Sequence, residues 1–204
     1  ASTTIGATGA VLKAVNVTAT SADTTSSTAT LSGDIFATTV TAVATSATNN
    51  DTIAFGDKVT ATTLNLDGAG AFSFADTATA AIVISGDSTS TVAADQIIVG
   101  AVTNDGTTGE GTLTFAATTE DTTLASTTIG ATGAVLKAVN VTSTANTATL
   151  AGNVFATTVT ATATDTTGSD KVAFNGTVNA GTLALVGTGS FSFDDIVTTT
   201  SDLD

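Results

Sequence analysis

Histidine, cysteine, arginine, tryptophan, tyrosine, methionine and proline are all missing from this 204-residue chain, and its cations are Lys13, Lys58, Lys137 and Lys171 alone. Each absence excludes something. Without His or Cys there is no Ser-His-Asp or Cys-His nucleophile system and no ordinary zinc or transition-metal site. A paired-carboxylate glycosidase is not expected either, because the chain has no Trp or Tyr sugar platform and no Arg, Tyr or His to support the Asp pair. The chemistry left is that of hard oxygen: Asp, Ser, Thr and backbone carbonyls. No enzyme is expected from it.

Lack of Cys also means no disulfide framework, which suits a reducing cytoplasm or a chain exported unfolded. With a formal charge of −14 and no cluster of Lys or Arg, nucleic acid and anionic lipid are not expected partners. The acidity is diffuse and reads as solubility and mutual repulsion of surfaces. No stretch approaches the roughly 20 apolar residues of a membrane span, so a membrane-spanning chain is not expected. The pattern is already running at Ala1 and still running at Asp204, so targeting segments are expected outside these residues.

What is present is repetition. Residues 1–18, ASTTIGATGAVLKAVNVT, recur unchanged at 125–142. After a short deletion, LSGDIFATTVTA (31–42) returns as LAGNVFATTVTA (150–161), and TLNLDGAGAFSFAD (63–76) as TLALVGTGSFSFDD (182–195). Residues 1–124 therefore form one cassette and 125–204 a second, partial one. Duplication on this scale points to a stacked structure, because a single active site gains nothing from it.

No window shows the i, i+3, i+4, i+7 apolar spacing of a helix, while Thr and Val favour extended backbone, so the chain reads as all-β. Short apolar bursts alternate with runs of Gly, Asp, Asn, Ser and Thr, which form turns. The diagnostic segment is 53–66, read as IAF (53–55), VTA (59–61) and LNL (64–66) separated by two corners, with its copy at 172–185. The first corner is Gly56-Asp57 in one copy and Asn175-Gly176 in the other, pairs that tolerate positive φ and would also suit a two-residue hairpin. A hairpin would put the apolar sets on opposite faces. A corner that only redirects the chain lets Ile53, Phe55, Val59, Ala61, Leu64 and Leu66 all point inward, which is one coil of a β-solenoid.

Phe55 and Phe74 are 19 residues apart, as are Phe174 and Phe193. Coils of about 20 residues predict about ten rungs and a stack on the order of 50 Å long at the usual strand spacing. Missing Pro fits, since every strand inside such a stack needs its N–H. Tandem β-sandwich domains are the alternative, and the long period would suit them.

The phrases FNGTVNAGTLAL (174–185) and IGATGAVLKAVNVT (5–18) resemble the β-strand repeats in passenger regions of bacterial autotransporter surface antigens, the rickettsial surface-antigen type in particular. The composition is also similar to that of surface-layer and filament repeat proteins. The resemblance implies a right-handed parallel β-helix on the outer surface of a bacterium, serving adhesion or a surface layer.

Gly-Asp and Asp-Gly pairs place Asp34, Asp57, Asp67, Asp87 and Asp105 at corners that could stack and offer oxygens to calcium. Plain turn chemistry explains them equally, and no DxDxDG or GGxGxDxU motif is present. In the second copy Asp34, Asp57 and Asp67 become Asn153, Gly176 and Val186. Asp194, Asp195 and the terminal SDLD form the densest acidic group, read as solvated, and the nine Phe residues read as core. The expected function is a non-enzymatic structural module stacking on copies of itself as a stalk, fibre or surface layer. An adhesin passenger is the alternative, binding a host receptor or glycan through the longer loops 19–28, 45–52 and 103–111.

Overall fold

Thr and Val dominate the chain, and β-branched side chains pack best on a pleated surface. The computed structural model describes residues 4–21, 25–46, 50–124, 128–164 and 169–200, and every regular element among them is a strand. In chain order these are β1 (Leu12–Ala19), β2 (Thr28–Leu31), β3 (Ile35–Ala44), β4 (Thr52–Phe55), β5 (Val59–Gly68), β6 (Ala71–Phe74), β7 (Ala78–Ser85), β8 (Thr89–Val92), β9 (Ile98–Val99) and β10 (Val102–Asn104). There follow β11 (Glu110–Ala117), β12 (Thr122–Leu124), β13 (Thr128–Ile129), β14 (Leu136–Ser143), β15 (Thr147–Leu150), β16 (Asn153–Ala163), β17 (Lys171–Phe174), β18 (Val178–Gly187), β19 (Ser190–Phe193) and β20 (Val197–Thr199).

The strands pair in parallel with strands of neighbouring coils, as in β1-β3-β5-β7 and β2-β4-β6-β8. The chain is thus a parallel β-solenoid. Sandwich domains do not hold, because they need antiparallel sheets, and antiparallel pairing among the described residues is confined to two isolated bridges at corners, Ala7 with Ala10 and Ala131 with Ala134. The solenoid has about seven complete turns with partial ones at both ends, fewer than the ten expected. Turns that carry long corners use more than 20 residues.

The 56–57 and 175–176 corners redirect the chain and do not fold it back, since β4 and β5 pair with neighbouring coils and not with each other. Their glycines are needed for another reason than the one the sequence suggested. None of the four residues has positive φ; instead a Cβ on Gly176 would stand 2.7 Å from the Gly152 carbonyl carbon. Positive φ is used at Gly68 and Gly187, which occupy the same repeat position at φ 102° and 105°. The second expected corner, near residue 62, is only a register shift inside the continuous strand β5.

Inward residues stack coil upon coil. One ladder runs Val15, Val40, Leu64, Ile82, Val102, Ile129, Val154, Val178, Val197; another runs Ala29, Ile53, Phe72, Ser90, Leu113, Val139, Val159, Leu183. The Phe spacing of 19 is one coil: Phe55 lies on Phe74 with ring centroids 5.0 Å apart, and Phe174 on Phe193 at 5.1 Å. Phe36 and Phe155, at matching positions, are only half-buried and lie outside the core.

The two ladders show how the cassettes relate. Val15 and Val139 are the same residue of the repeat, yet Val15 stands in the first ladder and Val139 in the second, five coils on and one side further round. The slip occurs at β11, which pairs with the four-residue β8 above and the eight-residue β14 below. Each coil presents three inward stretches, as at Ile35, Val40 and Ile53, so a cassette of five turns plus one side rotates each copy by about a third of a turn.

Candidate functional site

The described parts of the three longer loops all follow the strand on one side of the coil, so in the first cassette they lie in one file along one corner. Residues 22–24 and 47–49 lie outside the described residues. The corner is closed by Asp51, a residue the Gly-Asp pattern missed. Its side chain is fully buried and accepts from the backbone N–H of Ser21 (3.2 Å), Ser27 (3.2 Å) and Ser46 (3.1 Å) and from Thr45 Oγ1 (3.0 Å). Its own carbonyl accepts from Ala71 N of the next coil. Asp51 thus ties three coils, two through its carboxylate and the third through its carbonyl. Burial pushes the Asp51 carboxyl up, and the hydrogen bonds from Ser21, Thr45 and Ser27 outweigh it, leaving the group below the usual carboxylate range. Asp170 holds the same place in the second copy and is also fully buried.

Asp95 ties the neighbouring coil. It accepts from Thr118 N and Oγ1 and from Thr119 N and Oγ1, which hold it well below the ordinary carboxylate pKa, the Thr119 hydroxyl contributing most. In the 103–111 loop, Asn104 Nδ2 donates to Val135 O and Thr108 Oγ1 to Gly133 O, lacing the loop to the next turn. These polar groups face backbone, so their capacity is spent internally.

The five corner Asp residues fall on two corners. Asp67, near the end of β5, Asp87, after β7, and Asp105, after β10, line one corner, and Asp34 and Asp57 the corner after the four-residue strands β2 and β4. Among the described residues no three His, Cys, Asp or Glu side chains come together as a metal-holding group. Asp87 is bridged by Lys137 Nζ at 2.8 Å, both side chains being about half exposed. Asp105 accepts from Thr107 N, and Asp34 Oδ1 from Lys58 N. Asn153, the counterpart of Asp34, accepts from Thr177 N in the same way. The acceptor oxygen, and not the charge, is what both copies keep, as turn chemistry requires.

Asp195 is engaged by Thr177 Oγ1 and by Ile196 N, while residues 201–204 lie outside the described residues. A shallow notch of about 120 Å³ beside Asn50, Gly70 and Thr89 is well below the roughly 300 Å³ at which small-molecule sites begin. Among the described residues no helix is long and apolar enough to cross a membrane. Compared with protein-family models, with curated proteins and with solved structures, the chain matches none.

Proposed function

We propose that the chain is a non-enzymatic structural module of an extracellular, cell-surface repeat protein, which builds a stalk, fibre or surface layer by stacking end to end. One observation carries this reading: the second cassette stacks directly on the first, with β14, the repeat of β1, lying in parallel register between β11 and β16 and Leu136 completely buried. Cassettes that join by coil-on-coil pairing can be added in number without a new kind of contact. The cell-surface placement is supported by the resemblance to autotransporter passenger repeats and by the diffuse acidity, which resists lateral clumping.

The adhesin reading draws on the file of loops along one corner. Against it, residues 144–146, the counterpart in the second copy of the first loop, lie on a different corner because the cassette has rotated. Sedimentation velocity over a concentration series, beside binding assays on cells and glycan arrays, separates the two. Concentration-dependent rods with no cell or glycan binding are expected; saturable binding by a strictly monomeric chain would favour the adhesin.

A further inference from the structure

We infer that Asn175 is a site of spontaneous self-modification: its side-chain amide is lost to attack by the Gly176 backbone nitrogen, which turns the residue into aspartate or isoaspartate and loosens the coils around it. The inference goes beyond the structural-module reading and does not depend on it.

The reaction uses the chain's own atoms and water. The Gly176 amide nitrogen attacks Asn175 Cγ, the Cγ–Nδ2 bond breaks, and ammonia leaves with the proton that the nitrogen gives up. A five-membered succinimide remains. Water then opens it at either carbonyl, giving aspartate or isoaspartate. Two conditions must hold: the attacking nitrogen must be unscreened and free of hydrogen bonds, and the side-chain amide must be free to swing onto it.

Both hold at the corner between β17 and β18. Asn175 is exposed, and among the described residues neither its side-chain amide nor the Gly176 N–H has a hydrogen-bond partner. The flanking N–H groups are used, Asn175 N donating to Leu150 O (3.0 Å) and Thr177 N to Asn153 Oδ1 (2.9 Å). Packing holds position 176 to glycine, because a Cβ there would stand 2.7 Å from Asn153 Oδ1 and 2.7 Å from the Gly152 carbonyl carbon. A side chain that would screen the nitrogen has no room.

Elsewhere the reaction is hindered. Asp67-Gly68 and Asp105-Gly106 are the chain's other pairs able to form the same ring. Gly68, however, lies inside the β5 ladder, and Gly106 N donates to Asn104 Oδ1 (3.1 Å) while Asp105 accepts from Thr107 N (3.0 Å). Asn16, Asn65, Asn140 and Asn179 lie within strands and precede residues that carry a Cβ. In the first copy the place of Asn175 is taken by Gly56, so the site belongs to the second copy alone.

The stacking gives the modification a consequence. The register of Phe174 with Phe193 sets Asn175 beside Asp194 of the next coil, whose N–H donates to Phe174 O (2.9 Å), and Thr177 Oγ1 donates to Asp195 (3.1 Å). A carboxylate at 175 is therefore a third negative charge at that corner, about one strand spacing of 4.8 Å from Asp194, and like charges facing each other across strands are destabilising. Isoaspartate does more. It adds a methylene to the backbone between β17 and β18, both of which are held in register by the coils on either side.

The test is to hold the purified chain warm at mildly alkaline pH, beside Asn175→Gln and Asn175→Asp, with circular dichroism verifying the β-fold of each. Mass spectrometry of the tryptic peptide that follows Lys171 reads the conversion, its fragments separating position 175 from 179 and isoaspartate from aspartate. Asn175 is expected to convert several times faster than any other asparagine, with ammonia released in step and the melting temperature falling as isoaspartate accumulates. Asn175→Gln should keep its melting temperature over the same time, and Asn175→Asp should melt lower from the start. Conversion at 175 no faster than at the strand asparagines would overturn the site. Conversion that leaves the melting temperature unchanged would overturn the loosening of the coils while the modification stands.

Discussion

Three residues show how differently buried groups act in a one-dimensional core. Phe174 is 1% exposed and stacked on Phe193, and the fold gives it no second layer to relax into, so Phe174→Ala is expected to cost about 3–5 kcal/mol in thermal or urea melts. Phe193→Ala, at the half-buried end, should cost clearly less. Equal losses would mean that the end is already covered. Ser90 interrupts its ladder between Phe72 and Leu113, at 1% exposure, with no partner for its hydroxyl among the described residues. Ser90→Ala is therefore expected to stabilise the chain by about 1 kcal/mol, and a lower melting temperature would show a partner for that hydroxyl. Asp51 acts through its charge. Its folded pKa lies below the ordinary value of 3.8, so the folded state binds fewer protons than the unfolded one; the stability it contributes is complete above that value and is lost as pH falls below it. Asp51→Asn should lower the melting temperature at neutral pH and flatten its fall below about pH 4. A variant that melts as the parent does at every pH would remove the Asp51 cage from the list of stabilising features.

Phe36 and Phe155, also read as core, lie outside it, whereas the positions of Phe55, Phe74, Phe174 and Phe193 were legible from their spacing of 19, because an inward ring can recur one coil on. Asp51 was not, since the eye is drawn to Asp beside Gly; the better signal was that DTIAF at 51–55 returns as DKVAF at 170–174 while Asp34, Asp57 and Asp67 do not return.

At the scale of the element, alternation marked the inward face of β4 and β5, with Ile53, Phe55, Val59, Leu64 and Leu66 all at 1% exposure or less. The division into three brief strands per turn did not follow, because a bend without a gap in pairing leaves no turn residue in the sequence. β11 extends over Glu110–Ala117, beyond the apolar burst TLTF (112–115), and carries the change of side. Its flanks, Glu-Gly and Ala-Ala, have no β signal of their own; they become strand because β14 pairs along their full length. Gly68 and Gly187 end the long strand at positive φ, where a Cβ would collide with the carbonyl oxygens of Ala44 and Ala163. Gly68→Ala should destabilise by more than the roughly 1 kcal/mol that separates the two residues in permissive sites. A loss smaller than that would mean the corner can relax.

For the whole molecule, the rotation of each cassette by a third of a turn means that a longer array would turn its loop file round the axis and regain phase after three copies. No face of such a rod is special, which suits a stalk or layer whose work is stiffness. The net charge of −14 opposes the approach of copies, so added salt should promote stacking, most strongly between low and physiological ionic strength. Diffraction from aligned material of the concentrated chain reads the stacking most directly. Unbranched rods with strands perpendicular to the long axis and a meridional repeat of about 4.8 Å running through many copies are expected. Isolated particles no longer than the about 40 Å of a single solenoid, with no such axial order at high concentration, would contradict it.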